Sequence, residues 1–190
     1  MNRFAACFML LAVLTGCGRP AGPWHATNIT GAMPPLQFHM TRASDGADVT
    51  AADYRGYVTI LYFGYTNCPD ICPATLANLA GMLGRLGRDA DKVRVLFVTV
   101  DPNRDTLSVL KQYAAGFAPQ IDGLRGTDNA LADLARRYRV AYSVKTTPKY
   151  EVMHSVAVFF FDSTGRARLV TLTTDDTAEL TQDVKQLIAD

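Results

Sequence analysis

The sequence predicts an α/β fold: a central mixed sheet flanked by helices and entered through an N-terminal β-hairpin. Three observations predict it. Two apolar, β-branched runs, "YVTILYFGY" (57–65) and "KVRVLFVTVD" (92–101), are separated by a helical pattern, the signature of a βαβ unit. A third apolar run, "HSVAVFFFDSTGRARLVTL" (154–172), turns back on itself at Ser163-Thr164-Gly165, which marks an antiparallel hairpin. The remaining length is filled by segments of helical periodicity, and a chain of 190 residues with 48% apolar content fills one domain and hardly two.

Each element follows in order. "LQFHMTRASDGADVTAADYRG" (36–56) places a Ser44-Asp45-Gly46 turn between two short extended pieces, the N-terminal hairpin. The run 57–65 is apolar on both alternating faces, so it is a buried strand. "ATLANLAGMLGRLG" repeats Leu76, Leu79, Ala80, Leu83 and Leu86 at helical spacing. Residues 92–101 form a second buried strand. "DTLSVLKQYAAGF" is a helix with Asp105 as its expected N-cap, and "DNALADLARRYRV" is another. "DDTAELTQDVKQLIAD" closes the chain as a helix with acids in its first turn. A βαβ unit followed by helices, an antiparallel hairpin and a last helix is an α/β sandwich of thioredoxin type.

The N-terminus reads as a targeting segment. One positive charge, a short apolar run "FAACFMLLAVL" and "LTGC" give residues 1–16 as a lipoprotein-type signal peptide, with Cys17 as the lipid-bearing residue after cleavage. The plainer alternative is an ordinary signal peptide or short anchor with Cys17 incidental. Residues 17–35 then read as a Gly- and Pro-rich flexible tether, and 36–190 as the folded domain. This places the domain in a bacterial cell envelope, anchored by lipid to a membrane and facing the periplasm or another extracytoplasmic space. A formal charge of +1 without a basic stripe argues against nucleic acid as a partner.

Of four cysteines, Cys7 leaves with the signal and Cys17 carries lipid, so Cys68 and Cys72 are the free thiols of the mature chain. They sit in "CPDICP". Pro73 suits the first position of the following helix, which would put Cys72 at the cap and Pro69-Asp70 in a turn between the thiols. A helix N-terminus favours thiolate, the form that both attacks disulfides and binds metal. Three intervening residues are one more than in the usual redox pair, and the wider span suits an ion. Two thiolates are an incomplete zinc site, whereas soft thiolates with one imidazole suit copper. The histidines are His25 in the tether, His39 in the first hairpin and His154, which reads as opening the strand at 154. At this level His154 is either a third ligand or only a strand-end histidine, and the thiols are either a metal pair, a redox pair or a structural disulfide. A bridge of so short a span restricts little chain entropy, which makes the last reading unattractive.

The blocks "YFGYTNCPDICP", "VTVDPNRDT", "GLRGT", "ARRYRVAYS" and "MHSVAVFFFDSTG" occur in an order that resembles the Sco/SenC family, over roughly residues 34–190. The resemblance implies a thioredoxin-like fold and a copper chaperone for assembly of the copper A centre of cytochrome c oxidase. It implies one copper, Cu(I) or Cu(II), held by Cys68, Cys72 and His154, with Asp70 tuning the site or touching the partner. The implied partners are the copper A-bearing subunit of the oxidase and another periplasmic copper chaperone. An alternative implied role is a thiol–disulfide oxidoreductase that keeps the copper A cysteines reduced, with Cys68 attacking and Cys72 resolving. The chain departs from the family at one place: many members have Asp directly before the histidine, where this chain has Met153. Asp101 and Pro102 match a family motif, and their plain reading is the end of a strand and the start of a helix.

Overall fold

A strand that is apolar along its whole length needs cover on both faces. Strand β4 has it: all of Val58–Gly64 is buried. In the computed structural model, which describes residues 23–190, the elements are β1 (Thr27–Asn28), β2 (His39–Arg42), β3 (Asp48–Thr50), β4, α1 (Ile71–Leu86) and β5 (Val93–Thr99). There follow α2 (Leu107–Ala115), β6 (Ile121–Arg125), α3 (Asp128–Arg137), β7 (Tyr142–Lys145), β8 (Glu151–His154), β9 (Val158–Phe161), β10 (Ala167–Thr171) and α4 (Thr177–Ala189). The main sheet runs β1-β10-β9-β4-β5-β6-β2-β3. β4, β5 and β6 are parallel, and β9 returns antiparallel on the other side of β4. This is a mixed sheet with helices on both faces, a thioredoxin-like α/β fold.

Side chains alternate across the central strands as the pleat demands. Val58, Ile60 and Tyr62 of β4 meet α1, α2 and α4 in one apolar cluster; Leu61 and Phe63 meet α3 in the other. Leu76, Leu79, Leu83 and Leu86 form the buried stripe of α1. The two predicted hairpins are present as β2–β3 and β9–β10. Their turns need a residue in the left-handed region, supplied by Gly46 (φ 75°) and Gly165 (φ 76°).

Several boundaries differ from expectation. β6 is an additional strand, within a segment that carries no strand assignment in the sequence reading. β7 and β8 form a separate two-stranded sheet from a polar stretch, so His154 ends β8 and does not open β9. Asp105 is not the cap of α2: Thr106 is, accepting from the Val109 N–H at 3.3 Å. Helix α1 begins at Ile71, so Pro73 is its third residue. That costs nothing, because the N–H missing there is still one of the helix's orphans; the first helical bond runs from Ala74 N–H to the Asp70 carbonyl at 3.1 Å.

The tether also corrects. Residues 24–35, assigned to it, are packed on the domain. Ala26 is buried, β1 pairs with β10 as Thr27↔Val170, and the carboxylate of buried Asp183 accepts from the His25 N–H (3.0 Å) and the Ala26 N–H (2.8 Å). The signal peptide and Cys17 lie outside the described residues.

Candidate metal centre

Cys68, Cys72 and His154 converge at the C-terminal end of β4, where the chain leaves the sheet for α1. Their ligand atoms lie within 4.8 Å of one another. The two thiols come from the β4–α1 turn and the first turn of α1; the imidazole comes from the end of β8. His39 and His25 are elsewhere: His39 starts β2, and His25 is held near α4 by Gln182 and Glu179. Among the described residues this is the one group of three Cys, His, Asp or Glu side chains placed to share an ion.

The thiols are free and unequal. Cys72 is fully buried, and burial pushes its thiol up to about 12. Cys68 is partly exposed. Burial would raise it too, but the backbone N–H groups of Asp70 and Cys72 outweigh that and bring it below its ordinary value. The Cys72 N–H donates to the Cys68 sulfur at 3.4 Å. Helix α1 thus offers its orphan N–H groups to the outer sulfur, the charge complementarity expected of a helix start. Asp70 occupies the N-cap position and is exposed, with no side-chain capping bond. Its backbone serves Cys68, and its carboxylate faces outward.

His154 has a defined tautomer. Nδ1 lies 2.9 Å from the Ser155 carbonyl oxygen, which can only accept, so Nδ1 carries the proton. The Nε2 lone pair faces the Cys72 sulfur at 3.3 Å. Burial lowers the imidazole pKa, keeping it neutral and available as a ligand. Tyr65 and Tyr62 meet its ring edge-on, at 5.8 and 6.1 Å between centroids. Met153 points out to solvent, 65% exposed. The main-chain carbonyl of Ser155 orients the ring without adding charge.

Two residues have a part in the site that the sequence did not disclose. At Gly64 a Cβ would fall 2.5 Å from Phe97 Cε2 and 2.9 Å from Cys72 Sγ, so only glycine lets β4 pass this close to the buried thiol. A glycine inside an otherwise bulky buried run was the available signal. Asp105 is the second: wholly buried, it accepts from the Thr66 N–H (3.0 Å) and hydroxyl (2.6 Å), two residues ahead of Cys68.

Fold and site together define a thioredoxin-like domain with a two-thiol, one-imidazole centre at the end of its first central strand. The SCO1/SenC family model matches residues 35–189, and the chain belongs to that family. The mitochondrial protein SCO2 homolog of Bos taurus is 40% identical over 119 residues, covering 60% of this chain and 45% of that protein. The solved copper-bound structure of ScoI from Bradyrhizobium japonicum has a TM-score of 0.72 at 33% identity, covering 80% of this chain and 97% of that one. Copper-bound ScoI from Arabidopsis thaliana gives 0.74 at 32% identity, covering 82% and 99%. The chain spans about half the length of the curated relatives it matches.

Proposed function

We propose that this protein is an extracytoplasmic copper carrier that serves assembly of the copper A centre of cytochrome c oxidase. It takes one copper as cargo on Cys68, Cys72 and His154. The observation that carries the reading is the donor set: two sulfurs and one neutral imidazole nitrogen within 4.8 Å, with no carboxylate among them. Soft sulfur with imidazole selects copper, and three protein donors leave a structural zinc one short. The copper-bound relatives support the same ion. The partly exposed Cys68 is the sulfur an acceptor thiolate can reach, so release proceeds by exchange from that side. We assign Cys17 as the lipid-bearing residue, residues 1–16 as the signal, and the copper A-bearing subunit and a donor chaperone of the same compartment as partners. Among the described residues no helix is long and apolar enough to cross a membrane.

The test is copper titration of the reduced domain, residues 23–190. One Cu(II) per chain should bind, with intense sulfur-to-copper charge-transfer bands. Absence of such bands at every loading would sink the copper reading.

The inequality of the thiols supports a second role, reduction of a target disulfide. The Cys68 thiolate attacks one target sulfur, a mixed disulfide forms, and the first target thiolate leaves. Cys72 then attacks Cys68 Sγ. The second target sulfur leaves, taking up the Cys72 proton, and the carrier ends as the Cys68–Cys72 disulfide. The same inequality predicts that iodoacetamide at neutral pH modifies Cys68 more than about tenfold faster than Cys72. Mass mapping of the first alkylated site checks this, and modification of Cys72 first would contradict it.

A further inference from the structure

The turn between β5 and α2 has, from sequence, no task beyond ending a strand and starting a helix. The structure gives it two carboxylates, Asp101 and Asp105, that are both fully buried. Burying a carboxylate is costly unless it is well hydrogen-bonded, so where its bonds go is informative. Those of Asp105 go to Thr66, in the loop that carries Cys68, and to the Thr99 hydroxyl at 2.6 Å. Those of Asp101 go the other way. Its Oδ1 accepts from the Tyr150 hydroxyl and its Oδ2 from Arg104 Nε, each at 2.5 Å. Arg104 Cζ sits over the Tyr150 ring, 3.8 Å from its centroid, and 6.0 Å from that of Tyr65. Tyr65 in turn stands edge-on to His154.

The β7–β8 hairpin that ends in His154 pairs with no strand of the main sheet. A lone two-stranded hairpin is marginal in water and needs outside attachment. The Ser155 N–H to Ala141 carbonyl bond (2.9 Å) closes its base, and Tyr142 and Val152 pack on the apolar cluster of Leu61, Phe63 and α3. Near its tip, Tyr150 on Asp101 ties it to the β5–α2 turn.

We infer that the β5–α2 turn is a two-armed brace that sets the spacing between the thiols and the imidazole: Asp105 holds the cysteine loop through Thr66, and Asp101 with Arg104 holds the histidine hairpin through Tyr150. Asp101, Arg104 and Tyr150 are then positioning residues for His154, although none touches the cargo. For its copper readout this rests on the function proposed above; its other readout does not.

The experiment uses Tyr150→Phe, which removes the hydroxyl and keeps the ring over Arg104. In the copper-free domain, amide hydrogen exchange in β7 and β8 should accelerate about tenfold, as expected for loss of one charge-assisted bond. Exchange in β4 and β5 should not change. In a double-mutant cycle, Tyr150→Phe should weaken Cu(II) about tenfold when His154 is present, and less than about twofold in the His154→Ala background. Asp105→Asn should instead weaken Cu(I) and Cu(II) together, because it loosens the thiol side. Unchanged hairpin exchange overturns the brace. So does an equal copper loss with and without His154, or one shared profile for Tyr150→Phe and Asp105→Asn. A wild-type domain that takes up no Cu(II) overturns the copper reading alone, and hairpin exchange then decides the brace.

Discussion

Replacing His154 with alanine should lower the affinity for Cu(II) by at least about 100-fold, because a ligand is lost where even a supporting contact costs 10–100-fold. Cu(I) should lose less than about tenfold, since two thiolates satisfy the softer ion. The split follows from the geometry. His154 is the single nitrogen donor of the cluster, and its tautomer is fixed by the Ser155 carbonyl so that Nε2 faces the Cys72 sulfur. Cu(II) affinity can be read from the charge-transfer bands and from electron paramagnetic resonance. Cu(I) affinity can be read by competition with a chromogenic chelator. Equal loss of both ions would remove His154 from the ligand set.

The second large effect is expected at Gly64→Ala. The new methyl would sit at 2.5 Å from Phe97 and 2.9 Å from the Cys72 sulfur, in a region with no exposed surface to yield into. Overpacking of this kind costs about 3 kcal/mol. In a domain of this size that lowers the melting temperature by roughly 6–12 °C. It should also displace Cys72 and weaken both copper states. Gly84→Ala is the control: it lies in α1, a Cβ there meets nothing within 4 Å, and the change should be neutral or stabilising. Melting of both variants, with and without copper, checks the pair. A Gly64→Ala protein that melts with wild type would show that β4 can shift, and the close-approach argument would fail.

Long apolar runs made β4, β5 and the β9 hairpin legible, leucine spacing made α1 so, and the Ser44-Asp45-Gly46 turn marked the β2–β3 hairpin; each of these signals needs no distant partner to interpret. The elements missed are those whose stability comes from elsewhere in the chain. β6 contains Asp122 and Gly123, poor strand residues by themselves. It exists because β5 pairs with it and the Tyr54 hydroxyl, 68 residues away, donates to Asp122 at 3.0 Å. β7 and β8 are polar and only half-buried, so nothing in their composition separates them from a loop. The thiols and His154 were readable as residue types and, through the family resemblance, as a set. The burial that makes Cys72 differ from Cys68 was not, nor was the use of Asp105, which propensity alone assigned to a helix cap. Thr106 takes that cap and frees Asp105 for Thr66.

The packed N-terminal segment has a directional consequence. Thr27 pairs with Val170, and the register passes from Val170 to Phe159 and from Phe159 to Leu61. Three antiparallel pairings make β1 antiparallel to β4, so the chain enters β1 from the side on which β4 gives way to the cysteine turn, three strands and roughly 14 Å across. For a chain fastened at Cys17, the roughly seven residues to Trp24 reach no more than about 25 Å even when fully drawn out. On the proposed anchoring, leash and cargo would share one side of the domain. A copper ion held there would ride close to the bilayer surface, and an acceptor would be met by a swivel at that surface, not by reaching out into the surrounding compartment.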